Sequence, residues 1–216
     1  MKVLKVFLIL AMCFMFVGCG APAATPDRTV ANTVGPGSLI ELSIYTYDGN
    51  GHGIFLVPNL GHSFVSAKNV SAGSLTIGNY VLTPGEEITI GTFVQTAHSG
   101  VWYNIEAAYT TIGTYQNVVS LTIGVSDASK ITAITDYIIN SDYWSFTKNC
   151  TDFALDIWNI AAGEDAIEVS GLFTTPTALQ AQLMRFNEFE LNRLLSVASD
   201  PSYYDGTNLI ICTYIS

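Results

Sequence analysis

The sequence predicts an α+β domain with a mostly antiparallel sheet packed against helices, and three observations carry that expectation. Seven strand-like runs rich in β-branched and aromatic residues come first; three helical segments follow as a block; the tail then returns to an apolar, strand-like run at residues 209–214. Strands and helices grouped in this way, rather than alternating, are the mark of an antiparallel sheet with segregated helices. The 178 residues 39–216 suffice for one domain with a real core, and no internal repeat or second linker divides them.

The first run, residues 39–47, alternates in character and is broken by Asp48-Gly49-Asn50-Gly51-His52-Gly53. Further strands are expected at 54–57, 62–67, 75–81, 87–93, 101–109 and 115–123, with Pro84-Gly85 and Ser99-Gly100 as the clearest turns. The first helix follows the capping pair Ser126-Asp127 and runs to 139, with Ile131, Ile134 and Ile138 on one face. The second spans 149–163 and stops at Gly163, and the third starts at Thr175-Pro176, with Thr as cap and Pro in the first turn, and reaches about 186.

Ahead of the domain, residues 1–18 carry Lys2 and Lys5, then an uncharged apolar run at 6–17, the pattern of an export signal. The ending Phe16-Val17-Gly18-Cys19 resembles a bacterial lipobox, which implies that Cys19 is lipidated and that the mature protein is an extracytoplasmic lipoprotein with the lipid bilayer as a partner. Residues 19–38, rich in Ala, Pro, Thr, Asn and Gly, are expected to form a flexible tether. Loss of the leader leaves six basic against eighteen acidic residues, a net charge of −12. Such acidity argues against a nucleic-acid partner. Cys13 leaves with the leader, so the domain keeps only Cys150 and Cys212, which in an exported chain can bridge or remain as thiols. No CxxC or His-rich spacing suggests a metal, and no cofactor is expected.

Cys150 opens the second helix in Asn149-Cys150-Thr151-Asp152-Phe153-Ala154. The apolar stripe Phe153, Ala154, Ile157 and Trp158 faces the core, and Cys150, four residues before Ala154, lies on the same side at the first turn. A helix N-terminus favours a thiolate and offers N–H donors to an oxyanion, although Asp152 partly offsets the first effect. Asn149, Tyr143 and Trp144 beside it are the candidate oxyanion and pocket residues.

A cysteine nucleophile needs a base, and all three histidines, His52, His62 and His98, precede it. His52 lies in the glycine-rich turn, where solvation accounts for it. His62 begins a strand in Gly61-His62-Ser63-Phe64-Val65, and His98 is the alternative base. If the hairpin after His62 closes symmetrically across 68–73, position 62 faces Asn79, which would hold the imidazole; a register slip of one residue removes that geometry.

Gly-His-Ser-Phe-Val on an early strand, followed by Asn-Cys-Thr-Asp-Phe-Ala opening a later helix, resembles the circularly permuted branch of the NlpC-type, papain-like cysteine peptidase superfamily. The resemblance covers roughly residues 60–163. It implies Cys150 as nucleophile, His62 as base and Asn79 as the orienting residue, in an amidase- or peptidase-like thiol hydrolase that forms an acyl-enzyme. Its implied substrates contain an amide or ester, cell-wall peptide among them. Two further readings fit the same fold: a thiol acyltransferase acting on lipid, and a non-catalytic surface module.

Overall fold

The computed structural model describes residues 25–49, 61–111, 117–170, 174–197 and 200–212. The leader, Cys19, His52 and the expected strand at 54–57 lie outside them. Ten strands and four helices are assigned among the described residues: β1 Ile40–Tyr47, β2 His62–Asn69, β3 Leu75–Ile77, β4 Tyr80–Leu82, β5 Glu87–Val94, β6 Ser99–Tyr103, α1 Ile105–Thr111, β7 Val119–Val125, α2 Ala128–Asn140, α3 Cys150–Ala162, α4 Pro176–Leu183, β8 Glu190–Leu191, β9 Ser202–Tyr204 and β10 Leu209–Ile211. Eight strands form one sheet in the order β10-β9-β6-β5-β2-β1-β7-β8, and every ladder in it is antiparallel. The α+β class read from the grouping of elements is therefore the observed one.

Strand alternation gives the sheet two distinct faces. Leu42, Ile44, Val65, Ala67, Ile88, Ile90, Val101, Leu121 and Ile123 form one core with Ile131, Ile134 and Ile138 of α2, Phe153, Ile157 and Trp158 of α3, and Leu179 and Leu183 of α4. The other face carries Tyr45, Tyr47 and Phe64, joined by Val118, Tyr109 and Leu195. Segment 192–197 lies against this second face. Arg193 bonds Ser43 at 2.7 Å and also reaches Glu41 and Thr122, while Ser196 N–H donates to Glu87 Oε2 at 3.0 Å.

Three expectations need correction. Residues 75–81 are not a strand returning along β2; they fold out as the separate β3–β4 hairpin. The cause is local. Asn69 Nδ2 donates to the carbonyls of Gly73 and Leu82, and its Oδ1 accepts from Ser71 N–H, which turns the chain away from the sheet and lets β5 take the place beside β2. The run 101–109 is not one strand either. Asn104 adopts a positive φ of 64° and converts β6 into α1 one residue later.

The third concerns the tether, which was expected to be free up to Ser38. From Asp27 onward the chain is bound to the domain. Asp27 and Arg28 N–H groups donate to Arg185 O, Arg28 stacks over the Phe186 ring, and Val30 is buried. The carboxyl group of Asp165, itself 2% exposed, accepts from the N–H groups of Ala31 and Asn32 and from Asn32 Nδ2, each at 2.8 Å. Compositional bias towards small polar residues describes the segment's own lack of periodicity; it does not register acceptors supplied by the end of α3.

Candidate active site

Helix α3 is built to present its first residue. Asn149 in extended conformation caps it: Oδ1 accepts from the N–H groups of Thr151 at 2.8 Å and Asp152 at 3.2 Å, and Asp152 Oδ2 accepts in return from Asn149 N–H at 3.1 Å. Phe153 N–H donates to Asn149 O, so among the first-turn donors the N–H of Cys150 alone has no acceptor among the described residues. Asn149 Nδ2 is engaged by Thr174 O at 3.0 Å. The side chain expected to serve an oxyanion is thus consumed in capping, and the donor left open is the backbone N–H of Cys150 itself.

His62 comes from the other side of the sheet. Gly61 before it has φ +79°, and a Cβ there would strike Tyr47 O, so the glycine lets the chain turn tightly against the end of β1 and enter β2 at His62. The β1–β2 ladder runs to Tyr47 and His62, whereas the β2–β5 ladder stops at Val65 and Ile90. The first turn of α3 meets the sheet at this opening. His62 and Ser63 N–H are the groups that act on the Cys150 thiol, and Cys150 is partly exposed while His62 is 6% exposed. Beneath it a chain of hydroxyls joins four elements: Thr151 to Ser63 at 3.2 Å, Ser63 to Thr46 at 3.0 Å, and Thr46 to Pro176 O at 3.0 Å.

The electrostatics follow from this packing. Burial would push the Cys150 thiol up, but the His62 imidazolium outweighs it, helped by Ser63 N–H and the Thr151 hydroxyl, and holds the thiol below its ordinary range. Burial would likewise lower His62. The Cys150 thiolate and the Glu106 carboxyl group outweigh that and raise it to about 9. The pair therefore favours thiolate and imidazolium together.

Glu106 is the residue that the sequence reading missed. It lies in the first turn of α1, fully buried, with Oε1 3.5 Å from His62 Nε2 and Oε2 accepting from Thr89 Oγ1 at 2.6 Å. The 3.5 Å separation is an ion-pair distance rather than a short hydrogen bond. Gly91 on β5 makes room for it: a Cβ there would strike Glu106 Oε1 and lie 3.2 Å from His62 Nε2. Phe93, two residues on, packs its ring 4.3 Å from the imidazole.

Asn79 does not fill the orienting role. It sits in the β3–β4 turn, where its N–H donates to Tyr103 Oη at 2.9 Å. His98 is held elsewhere too, its Nε2 2.7 Å from Asp142 Oδ1 and its ring stacked on Tyr203. Tyr143 and Trp144 lie in the loop that leads into Cys150, Tyr143 exposed and Trp144 half-buried. Cys150 and Cys212 are both unbridged. Among the described residues no three His, Cys, Asp or Glu side chains are grouped so as to hold a metal ion. No family model matches the chain, and no curated protein or solved structure is significantly similar to it.

Proposed function

We propose that the protein is a thiol hydrolase, amidase- or peptidase-like, that forms an acyl-enzyme on Cys150, anchored outside the cytoplasm through a lipidated Cys19. One observation carries the reading: a partly exposed cysteine at a capped helix N-terminus, electrostatically coupled to a buried imidazole that is backed by a buried carboxyl group. With Glu106 behind its Nε2, His62 is the group that exchanges protons with the thiol and the leaving group. The Cys150 thiolate attacks the carbonyl carbon of an amide or ester, and a C–S bond forms while the open N–H of Cys150 receives the developing oxyanion. The C–N or C–O bond then breaks as His62 gives its proton to the departing amine or alcohol. Water attacks the thioester, its proton passes to His62, and the acid leaves as the thiol is restored. Cell-wall peptide is the substrate class that this compartment offers.

The pH dependence has a definite sign. Thiolate forms below the ordinary thiol range and the imidazolium survives to about pH 9, so turnover rises as Cys150 ionises and falls as pH passes about 9. Alkylation of Cys150 by iodoacetamide across pH tests the first limb. We expect a midpoint clearly below the ordinary thiol value of about 8.5, returning towards it in His62→Ala. An ordinary midpoint in the wild type, unchanged in His62→Ala, would overturn the proposal.

A further inference from the structure

Strand β5 brings three residues to the Glu106–His62 pair. Thr89, Gly91 and Phe93 alternate along the strand and so share one face. Phe93 packs on the imidazole, Gly91 leaves room for the carboxyl group, and the Thr89 hydroxyl donates to Glu106 Oε2 at 2.6 Å. Gly91 and Phe93 bear on the pair by shape. Thr89 does so through a directed hydrogen bond, which serves only if Thr89 is itself held.

What holds Thr89 is Asn104. The β5–β6 ladder ends at Ile90 and Tyr103, which makes Thr89 and Asn104 the next residues across from one another. A regular antiparallel pair at this position would exchange two backbone hydrogen bonds. One is kept: Asn104 N–H donates to Thr89 O at 2.9 Å. The other is made by a side chain, since Thr89 N–H donates at 3.1 Å to Asn104 Oδ1. With its φ of 64°, Asn104 takes the chain out of the ladder, and α1 begins at the next residue with Glu106 in its first turn. Thr89, Asn104 and Glu106 thus close a ring, and all three are fully buried.

The residue type at 104 is constrained twice. Glycine would accept the positive φ but leave the buried Thr89 N–H without this acceptor. Aspartate would supply an acceptor but set a second buried carboxyl group two residues from Glu106. Asparagine tolerates the backbone conformation and provides the acceptor while remaining neutral.

We infer that Asn104 and Thr89 are positioning residues for proton transfer at Cys150: the Asn104 amide holds Thr89, and the Thr89 hydroxyl fixes Glu106 behind His62. The inference rests on the reading of Cys150 as the nucleophile and His62 as its base. Neither residue touches the reacting atoms.

The test is an NMR titration of the His62 ring in the full mature chain, with its resonance assigned by loss in His62→Ala. The wild-type midpoint is expected at about 9. Thr89→Val keeps the side-chain shape and both backbone bonds to Asn104 but removes the donor to Glu106. A buried carboxyl group without that donor either shifts or takes up a proton, and the imidazolium loses its counter-charge. The His62 midpoint should then fall by about one pH unit. Thr89→Ser, which retains the hydroxyl, should restore most of it. Asn104→Gly, which permits the positive φ, should lower the midpoint in the same direction. Midpoints unchanged in both Thr89→Val and Asn104→Gly, whatever happens to the melting temperature, overturn the inference, because the ring is then a structural tie alone. Movement in only one of them overturns the role of the other residue. If Asn104→Gly fails to fold, Thr89→Val and its Thr89→Ser rescue still decide whether the hydroxyl fixes Glu106. The same titrations in a Cys150→Ser background separate this from the nucleophile: the differences between variants should persist there, since Glu106 rather than the thiolate produces them. An ordinary alkylation midpoint for wild-type Cys150 counts against the nucleophile reading, and the His62 midpoints report the ring independently of it.

Discussion

Replacing Gly91 by alanine puts the proposed machinery under load without replacing any of its functional groups. The added methyl group would overlap Glu106 Oε1 and approach both Glu106 Cδ and His62 Nε2 at 3.2 Å. Glu106 is fully buried and fixed on its other oxygen by Thr89 at 2.6 Å, and His62 is hemmed in by Phe93, so neither has open space into which to retreat. Relief requires the carboxyl group or the β5 backbone to move by more than about 1 Å, and misplacement on that scale costs on the order of 100-fold in rate. The overpacking itself costs about 1–3 kcal/mol. We therefore expect Gly91→Ala to fold with a reduced melting temperature, to raise the pH midpoint of Cys150 alkylation, and to lose roughly 100-fold in turnover of an ester or amide substrate. Glu106→Gln should share the kinetic loss with less change in melting, since it preserves shape. The assays are iodoacetamide kinetics across pH with a thermal melt of each variant. A Gly91→Ala protein with the wild-type midpoint and turnover would mean that Glu106 does not support His62.

The cap and the N-terminal segment supply two further expectations. Asn149→Ala removes the acceptor for two first-turn N–H groups and should cost about 1 kcal/mol, read as a fall in melting temperature of about 2–4 °C, whereas Asn149→Ser, which retains a capping acceptor, should lose less. Asp165→Ala removes the acceptor of two part-buried backbone N–H groups and one of the two acceptors of Asn32 Nδ2, and should cost about 1–3 kcal/mol; limited proteolysis should then cleave within residues 27–38 faster than in the wild type.

Much of this arrangement could be read before any fold was known, because it is local. The cap Asn149, the stripe Phe153, Ala154, Ile157 and Trp158, and the stop at Gly163 together placed Cys150 at a helix start, and glycine then histidine placed His62 at a strand start. What escaped was non-local. Glu106 sits in a run whose Val101, Trp102 and Tyr103 have strong strand preference, and the single residue that breaks it, Asn104, does so through a positive φ that composition does not announce. Asn79 was nominated by assuming that consecutive strands pair. The Asn69 side chain defeats that assumption by satisfying the turn's own carbonyls, so the partner of β2 arrives from β5 instead. His98 was a fair alternative base by residue type alone; only its 2.7 Å contact with Asp142 shows it to be occupied elsewhere.

The docking of residues 27–34 sets the length of a leash. Only eight residue steps separate Cys19 from Asp27, and however they are arranged they reach no further than about 28 Å. On the proposed lipid anchor, a domain about 40 Å across cannot drift from the membrane by more than its own width. Its cleft would sample a thin shell of the envelope, at high local concentration for anything confined there and at none for substrates beyond it. Asp165, just beyond the far end of the helix that Cys150 opens, would then govern that radius, because releasing its grip on Ala31 and Asn32 would lengthen the leash without altering a single group at Cys150.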